Sequence, residues 1–483
     1  MRLLEFLLLA VVAIGLACHL RDWQRAAPTT WLFAVAILLM VAHLAIEGYR
    51  WQMVPVYLAT GGALIALGWL PLTTARPWLT VVGLGLLSVG ALLCLALPVF
   101  TLPAPSGPYP VGSTTRLLRD SGRQEPRMGL PGARREVLVQ IWYPAERQGR
   151  GQPYRPRAET IFTTTQLALV TTHSAAGVPV SRRSTRYPVI LFSPSWPGRR
   201  AQNTVLAEEL ASRGFLVVAI DHPFGSAAVA FPDGRVIHTT LGEFLGGSTV
   251  EAVEASYQQA LDELERRTAD ARFVLDEIGR LDADDPEGLL TGRVGLNRVG
   301  MMGYSFGGAV AAETAFRDDR IQAVLNLDGT LFGESATHGI AQPYFFVTGR
   351  LPDEVEPPPT GRAKTVDEFQ SGLVARDVAN QHRLLTTSGG SLLQISGTTH
   401  LNFSDGPLYS PLQRWRSAGR IDPLRALIIV NEHTVQFFRQ NLDQDATATV
   451  GVRSSKYPEA RFETWAHSGS VTSAVSAIGK KNP

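Results

Sequence analysis

The sequence predicts an α/β domain, a mostly parallel sheet with helices on both faces, preceded by an all-α transmembrane domain. Three observations predict it. Apolar runs crowd into the first hundred residues, short β-like runs alternate with helical ones from about residue 103 to 442, and a Gly-Tyr-Ser-Phe-Gly turn joins one such strand to one such helix. Of the 483 residues, 45% are apolar and 18% charged. An ordinary soluble domain carries about a quarter charged residues. The shortfall excludes a disordered chain and directs part of this one to lipid. A formal net charge of +2 is too small to argue for a nucleic-acid partner. Cys18 and Cys94 both lie inside apolar runs, which excludes a disulfide scaffold and a Cys-based metal site.

The apolar runs cover roughly residues 3–18, 31–46, 53–72 and 78–100. The last two reach the ~20 residues a spanning helix needs, and the first two are near the ~17-residue minimum. Trp23, Trp31, Trp51, Trp69 and Trp78 stand at or near run ends, where an indole favours the headgroup zone. Residues 1–101 are therefore expected to form a membrane domain of about four transmembrane helices, making the protein multi-pass. If the first run were a cleaved signal peptide, three spans would still hold the chain in the membrane. Arg21, Arg25 and Arg76 fall on one side, against Arg2, Arg50, Arg116 and Arg119 on the other. That count is close to a tie. It leaves the side on which residues 102–442 lie open, with a lean to the extracytoplasmic face of a bacterial-type plasma membrane. Glu5 and His43 are the ionisable groups within the runs; a lone His at a run's end is more often wetted than functional, and it is assigned no role.

Pro103, Pro105, Pro108 and Pro110, with Gly107 and Gly112, make a stiff exit from the membrane. Candidate strands follow at residues 137–143, 189–192, 216–220, 299–302, 323–327, 344–347 and 392–395, and candidate helices near 204–213, 257–280, 308–316 and 424–441. Such alternation implies a parallel sheet covered on both faces, so residues 102–442 are expected to form one α/β domain. Residues 443–483 are polar, Ser- and Ala-rich and aperiodic, and are expected to be disordered.

The chemistry begins at Gly303-Tyr304-Ser305-Phe306-Gly307. A serine hydroxyl is a poor nucleophile unless it is exposed, oriented and paired with a base. Residues 298–302 supply a buried strand directly before it and residues 308–314 a small-residue helix directly after. This is the context of a nucleophile elbow, and it makes Ser305 the candidate nucleophile. Of the histidines that follow, His338 lies in a polar loop, His382 and His433 on helix surfaces, and His467 in the tail. His400 follows the strand-like run at 392–395 and is the candidate base. Asp328 and Asp353 compete for the acid, each following a strand; the apolar approach to Asp328 and its neighbour Gly329 favour it modestly. One oxyanion donor is expected to be the backbone N–H of Phe306. The second must come from Pro194-Ser195-Trp196-Pro197, where the prolines have no N–H, so the donor is Ser195 or Trp196. Asp221 and His222 precede the nucleophile and are read as a structural turn. Metal-ligand spacing is absent, so no metal and no cofactor is expected.

From about residue 103 to 442 the chain resembles the platelet-activating-factor acetylhydrolases of the plasma and intracellular type II class, which are α/β-hydrolases. The resemblance is carried by Gly107-Pro108-Tyr109-Pro110-Val111-Gly112, Ile141-Trp142-Tyr143-Pro144, Leu191-Phe192-Ser193, Gly214-Phe215, Asp221-His222-Pro223, the segment 303–308, Asn326-Leu327-Asp328-Gly329 and His400-Leu401-Asn402-Phe403-Ser404-Asp405. Gly419-Arg420-Ile421-Asp422 fits the family's lead-in to its last helix. The resemblance implies that Asp328 is the acid and that Trp196 supplies the second oxyanion amide. It implies calcium-independent cleavage of an ester, often the sn-2 ester of a phospholipid with a short or oxidised acyl chain. Two departures limit it. The family shows His-Gly-Leu-Gly in the oxyanion loop where this chain has Pro194-Ser195-Trp196-Pro197, so a preference for acetyl does not carry over. A four-span membrane domain is not part of the animal pattern. The expected partner is a lipid or small ester substrate, with the oligomeric state open. A general carboxylesterase, an acyltransferase on the same triad and an inactive hydrolase-like scaffold are the competing readings.

Overall fold

Leu-, Val- and Ala-rich stretches with few helix breakers coil where the apolar runs were read. The computed structural model describes residues 2–20, 27–69, 76–352, 363–443 and 456–466. It opens with helices α1 (Leu3–Leu20), α2 (Ala27–Ala42), α3 (Val54–Trp69) and α4 (Arg76–Ala96). Among the described residues one helix, Trp78–Ala96, is long and apolar enough to cross a membrane by length and composition. The apolar helices at Leu3–Cys18 and Trp31–Glu47 are shorter. The expected multi-pass domain therefore reduces to one candidate span. Leu8, Val12, Leu16, Phe33, Met53, Val56 and Leu87 form the core of this first unit.

The first unit is not contiguous in sequence. Residues 153–171 and 407–416 group with 1–101, and residues 102–152, 172–406 and 417–483 form the second unit. The physical reason lies in aromatic contacts and hydrogen bonds. Trp51 stacks on Phe162 at 3.8 Å and donates its indole N–H to the Phe162 carbonyl. The Phe100 ring lies 6.2 Å from that of Tyr409, and the Ser410 hydroxyl donates to the Ala96 carbonyl.

The second unit is built on a sheet of 11 strands. In chain order these begin β1 (Val111–Gln124), β2 (Arg134–Pro144), β3 (Gly151–Pro153), β4 (Thr171–Ala175), β5 (Tyr187–Ser193) and β6 (Leu216–Asp221). A separate hairpin, β7 (Ala228–Ala230) and β8 (Val236–His238), follows. The sheet resumes with β9 (Val294–Tyr304), β10 (Ile321–Leu327), β11 (Tyr344–Thr348), β12 (Ser391–Ile395) and β13 (Ala460–Thr464). The spatial order is β13-β12-β11-β10-β9-β5-β6-β2-β1-β4-β3. From β12 to β6 the strands run parallel, while β2 and β13 pair antiparallel to the strands they flank.

Each central strand sorts its side chains by the period of two. Val189, Leu191, Val299, Met301 and Val324 enter one core. Ile190, Phe192, Met302, Leu325 and Leu327 enter the other. Helices α6 (Val250–Ala283), α7 (Phe306–Arg317), α8 (Glu334–His338) and α9 (Val366–Thr387) supply residues to the first layer, and α5 (Thr204–Ser212) and α11 (Pro423–Leu442) to the second. A short helix, α10 (Pro411–Ser417), precedes α11.

The tail departs from expectation. Residues 456–466 are described, and β13 pairs with β12 from Ser391↔Thr464 to Ile395↔Ala460. Its polar sequence suits an edge strand with one face in solvent, while Tyr457 and Phe462 turn inward onto the second core.

Candidate active site

Three neighbouring strands end in the loops that carry the candidate groups: β5 in the oxyanion loop, β9 in Ser305 and β10 in Asp328. β12 ends in the loop bearing His400. These are the carboxyl ends of parallel strands, where open α/β sheets place their ligands.

Ser305 takes φ 58° and ψ −126° between β9 and α7, a conformation that costs an L-residue about 1–3 kcal/mol. The flanking glycines allow it. A Cβ on Gly303 would lie 1.8 Å from the Gly307 carbonyl oxygen, and one on Gly307 would lie 2.0 Å from that of Ser193. The turn therefore presents the hydroxyl at the head of the strand and packs the helix directly beneath it.

The structure brings Ser305, His400 and Asp328 together. The Ser305 hydroxyl donates to His400 Nε2 at 2.9 Å, and His400 Nδ1 donates to Asp328 Oδ2 at 2.7 Å. The other oxygen of Asp328 accepts from the Thr348 hydroxyl and, at 3.4 Å, from the Gly349 amide. Tyr304 stacks on the imidazole at 4.9 Å and donates its hydroxyl to the His400 carbonyl at 2.9 Å. Thr348 and Tyr304 thus hold the candidate acid and base, yet neither was singled out in the sequence. The rival acid, Asp353, lies outside the described residues, as does His467. His382 bonds the Pro352 carbonyl, and His433 the Ile429 carbonyl.

The oxyanion loop distinguishes its two candidate amides. The Ser195 N–H donates to Gln202 Oε1 at 3.1 Å, and the Ser195 hydroxyl bonds the same oxygen at 3.0 Å. The Ser195 amide is thus bonded within the loop, and the Trp196 N–H is the other candidate between the two prolines. Phe306 begins α7, so its N–H has no partner within the helix. The Trp196 and Phe306 rings lie 5.0 Å apart, with Phe244 at 5.5 and 5.9 Å from them. The Trp196 indole N–H is anchored on the Gly242 carbonyl.

Asp221 and His222 do not join the nucleophile. Asp221 accepts from the Arg200 amide and guanidinium. His222 lies between the Ser193 hydroxyl, 3.2 Å from Nε2, and Asp270, 2.9 Å from Nδ1. The arrangement copies the order Ser–His–Asp, but all three residues are fully buried. Burial pushes the His222 pKa down, against its hydrogen bond with Asp270. Burial would raise Asp270, and Arg135 with His222 outweighs it, holding that carboxyl well below the usual range. A neutral imidazole beside a carboxylate braces the end of β5.

One group of possible metal ligands occurs among the described residues, Glu5, His43 and Glu47 in the first unit. Glu5 and His43 are already engaged by protein, whereas Glu47 Oε2 is buried without a hydrogen-bond partner. Glu5 accepts from Arg50 at 2.9 and 3.0 Å and from Arg2, and His43 Nδ1 meets the Tyr57 hydroxyl at 3.0 Å.

Comparison with known proteins follows this geometry. Residues 96–455 match the family model described as platelet-activating factor acetylhydrolase, isoform II. The chain is 23% identical over 405 residues to a platelet-activating factor acetylhydrolase of Cavia porcellus, covering 77% of this chain and 86% of that one. It is 24% identical over 406 residues to a probable 1-alkyl-2-acetylglycerophosphocholine esterase of Arthroderma benhamiae, covering 75% and 94%. Among solved structures, a ferulic acid esterase from Streptomyces cinnamoneus superimposes with a TM-score of 0.59 at 28% identity, over 76% of this chain and 99% of that one. The match over most of the chain, on a sheet with this strand order, means that the chain belongs to the platelet-activating factor acetylhydrolase, isoform II, family and with it to the hydrolases acting on esters.

Proposed function

We propose that the protein is a membrane-anchored serine ester hydrolase that cleaves short-chain or oxidised acyl esters of phospholipids through an acyl-enzyme. The observation that carries this reading is the unbroken hydrogen-bond line from Ser305 through His400 to Asp328. His400 takes the hydroxyl proton as Ser305 attacks the ester carbonyl, and Asp328 stabilises the imidazolium that forms. The carbonyl oxygen becomes an oxyanion, which the Phe306 and Trp196 amides receive. On collapse, His400 returns the proton to the leaving alcohol. It then deprotonates a water that attacks the acyl-enzyme, and the proton goes back to Ser305 as the acid leaves. No step calls on a metal or cofactor.

The polarity of the first unit supports anchoring in lipid. Trp31 is 73% exposed, Ile46 77% and Trp78 73%, whereas Glu5, His43 and Arg50 are buried. Apolar side chains outward and paired charges inward is the distribution a bilayer stabilises. A general carboxylesterase remains the second reading, favoured by the likeness to a ferulic acid esterase and by the aromatic trio Trp196, Phe244 and Phe306, which suits a bulky acyl group.

Two measurements test the proposal. A fluorophosphonate should label the full chain, and Ser305→Ala should abolish both labelling and ester hydrolysis, with a loss of at least ~10³-fold in rate. On phosphatidylcholines of increasing sn-2 length, hydrolysis should fall as unoxidised chains lengthen. Faster turnover of long unoxidised chains or of water-soluble aryl esters would overturn the phospholipid assignment.

A further inference from the structure

Arg267 on α6 is fully buried, and each side of its guanidinium is occupied. Nη1 donates to the Pro194 carbonyl at 3.1 Å and to the Ser195 carbonyl at 3.0 Å. Nη2 donates to the Gly225 carbonyl and Nε to Glu263, both at 3.0 Å. The Phe306 ring stands over the guanidinium, 4.9 Å from Cζ to the ring centroid. A single side chain thus touches both segments expected to supply an oxyanion donor.

The geometry of the peptide unit makes this contact consequential. The Ser195 carbonyl and the Trp196 N–H belong to one planar trans unit and point in opposite directions. Fixing the carbonyl therefore aims the amide. The Gly198 amide donates to the same carbonyl oxygen at 2.5 Å, so two donors hold the plane. A charge-assisted bond to the oxygen also polarises the peptide, making its N–H a stronger donor. Lysine could not do this. Reaching three carbonyls and a carboxylate at once takes the rigid planar fork of arginine.

We propose that Arg267 is the positioning residue of the oxyanion hole: its buried guanidinium orients the Trp196 amide through the Ser195 carbonyl and seats the Phe306 ring, whose backbone amide is the other donor. The proposal rests on the reading of Ser305 as nucleophile. It deepens that reading, because an oxyanion hole built from backbone amides depends on how that backbone is held.

The test compares Arg267→Lys, and Arg267→Gln combined with Glu263→Gln, with the parent in the full detergent-solubilised chain. The double variant removes both members of the ion pair, so no buried carboxylate is orphaned. A trifluoromethyl ketone ester analogue, which forms a tetrahedral adduct on a serine, reports affinity for the oxyanion; the corresponding methyl ketone, bound without an adduct, reports substrate-like binding. In the double variant kcat/KM should fall by about 10- to 100-fold, and the Ki of the trifluoromethyl ketone should rise by the same factor while that of the methyl ketone stays within about twofold. Arg267→Lys should fall between parent and double variant. A drop in kcat/KM without a matching rise in the trifluoromethyl ketone Ki would assign Arg267 a structural role only and overturn the proposal. So would parent-like values in both variants while Ser305→Ala is inactive. Activity retained by Ser305→Ala would instead overturn the catalytic reading itself.

Discussion

Asp377, on α9, shows how a single carboxyl near the site responds to pH. Its Oδ1 accepts from the Leu331 amide at 2.6 Å and from Gln381. Burial, with a contribution from the charge of Asp328, pushes its pKa up to about 7. An unfolded chain would release that proton near pH 4. Between about pH 4 and 7 the folded state holds a proton that the unfolded state has lost, so stability declines as pH rises, and the full cost stands above pH 7. Asp377→Asn should therefore melt higher than the parent at pH 8, by about 1–2 kcal/mol once partial contact with solvent is discounted. At pH 4 the two should melt together. A gap that is the same at both pH values would refute the assignment. At this scale Ser305 and His400 were legible because each is announced locally, by a strand and then a turn. Asp328 against Asp353 needed more than local pattern. Thr348 and Arg267 were not legible at all: Arg267 meets Ser195 across 72 residues of sequence, and no window on the chain contains both.

At the scale of elements, the strands read from sequence are those buried on both faces, where a continuous apolar run marks each one. The strand β1 escaped notice because it carries Arg116, Arg119, Asp120 and Arg123, charged residues that break up any apolar run. The helix α6 was read from about residue 257 but begins at Val250, capped by the Thr249 hydroxyl, which accepts from the Ala252 amide. The strand β13 escaped because a polar edge strand has no apolar run to announce it. Its contribution is nonetheless measurable. Tyr457 is buried and bonds Glu432, and the Phe462 ring lies 6.1 Å from that of Phe345. A chain ending at Asp443 should lose about 3–5 kcal/mol of stability from these two aromatics and should aggregate through the bared edge of β12. Calorimetry and light scattering check both; a truncated chain with parent stability would remove β13 from the account.

For the whole molecule, the sequence pattern that predicted four spans reports hydrophobicity, and hydrophobicity alone does not set helix length. The helices form where the runs lie, but the helix opened by α2 winds on as a π-turn over His43–Glu47 and stops at Gly48, whose φ is 82°, so among the described residues the apolar helix Trp31–Glu47 ends short of a span. Arg50 then folds inward to Glu5. Breaking such a buried pair by removing one partner costs about 3–5 kcal/mol, and the pair is formed by residues 45 apart, beyond the reach of any hydropathy window. The anchoring proposal makes a direct prediction. The full chain should sediment with membranes, stay there through high salt and alkaline carbonate washes, and be released by detergent. Recovery in the salt wash would reduce the first unit to a peripheral module.

The imidazole of His400 keeps 53% of its surface in contact with solvent. On the proposed mechanism, an acyl group on Ser305 therefore faces whatever hydroxyl the surroundings deliver to that ring, and the ring does not distinguish water from alcohol. The fate of the acyl group becomes a partition ratio set by local nucleophile supply, so added glycerol or a short alcohol should divert product from free acid to new ester in proportion to its concentration, with the rate of acylation unchanged.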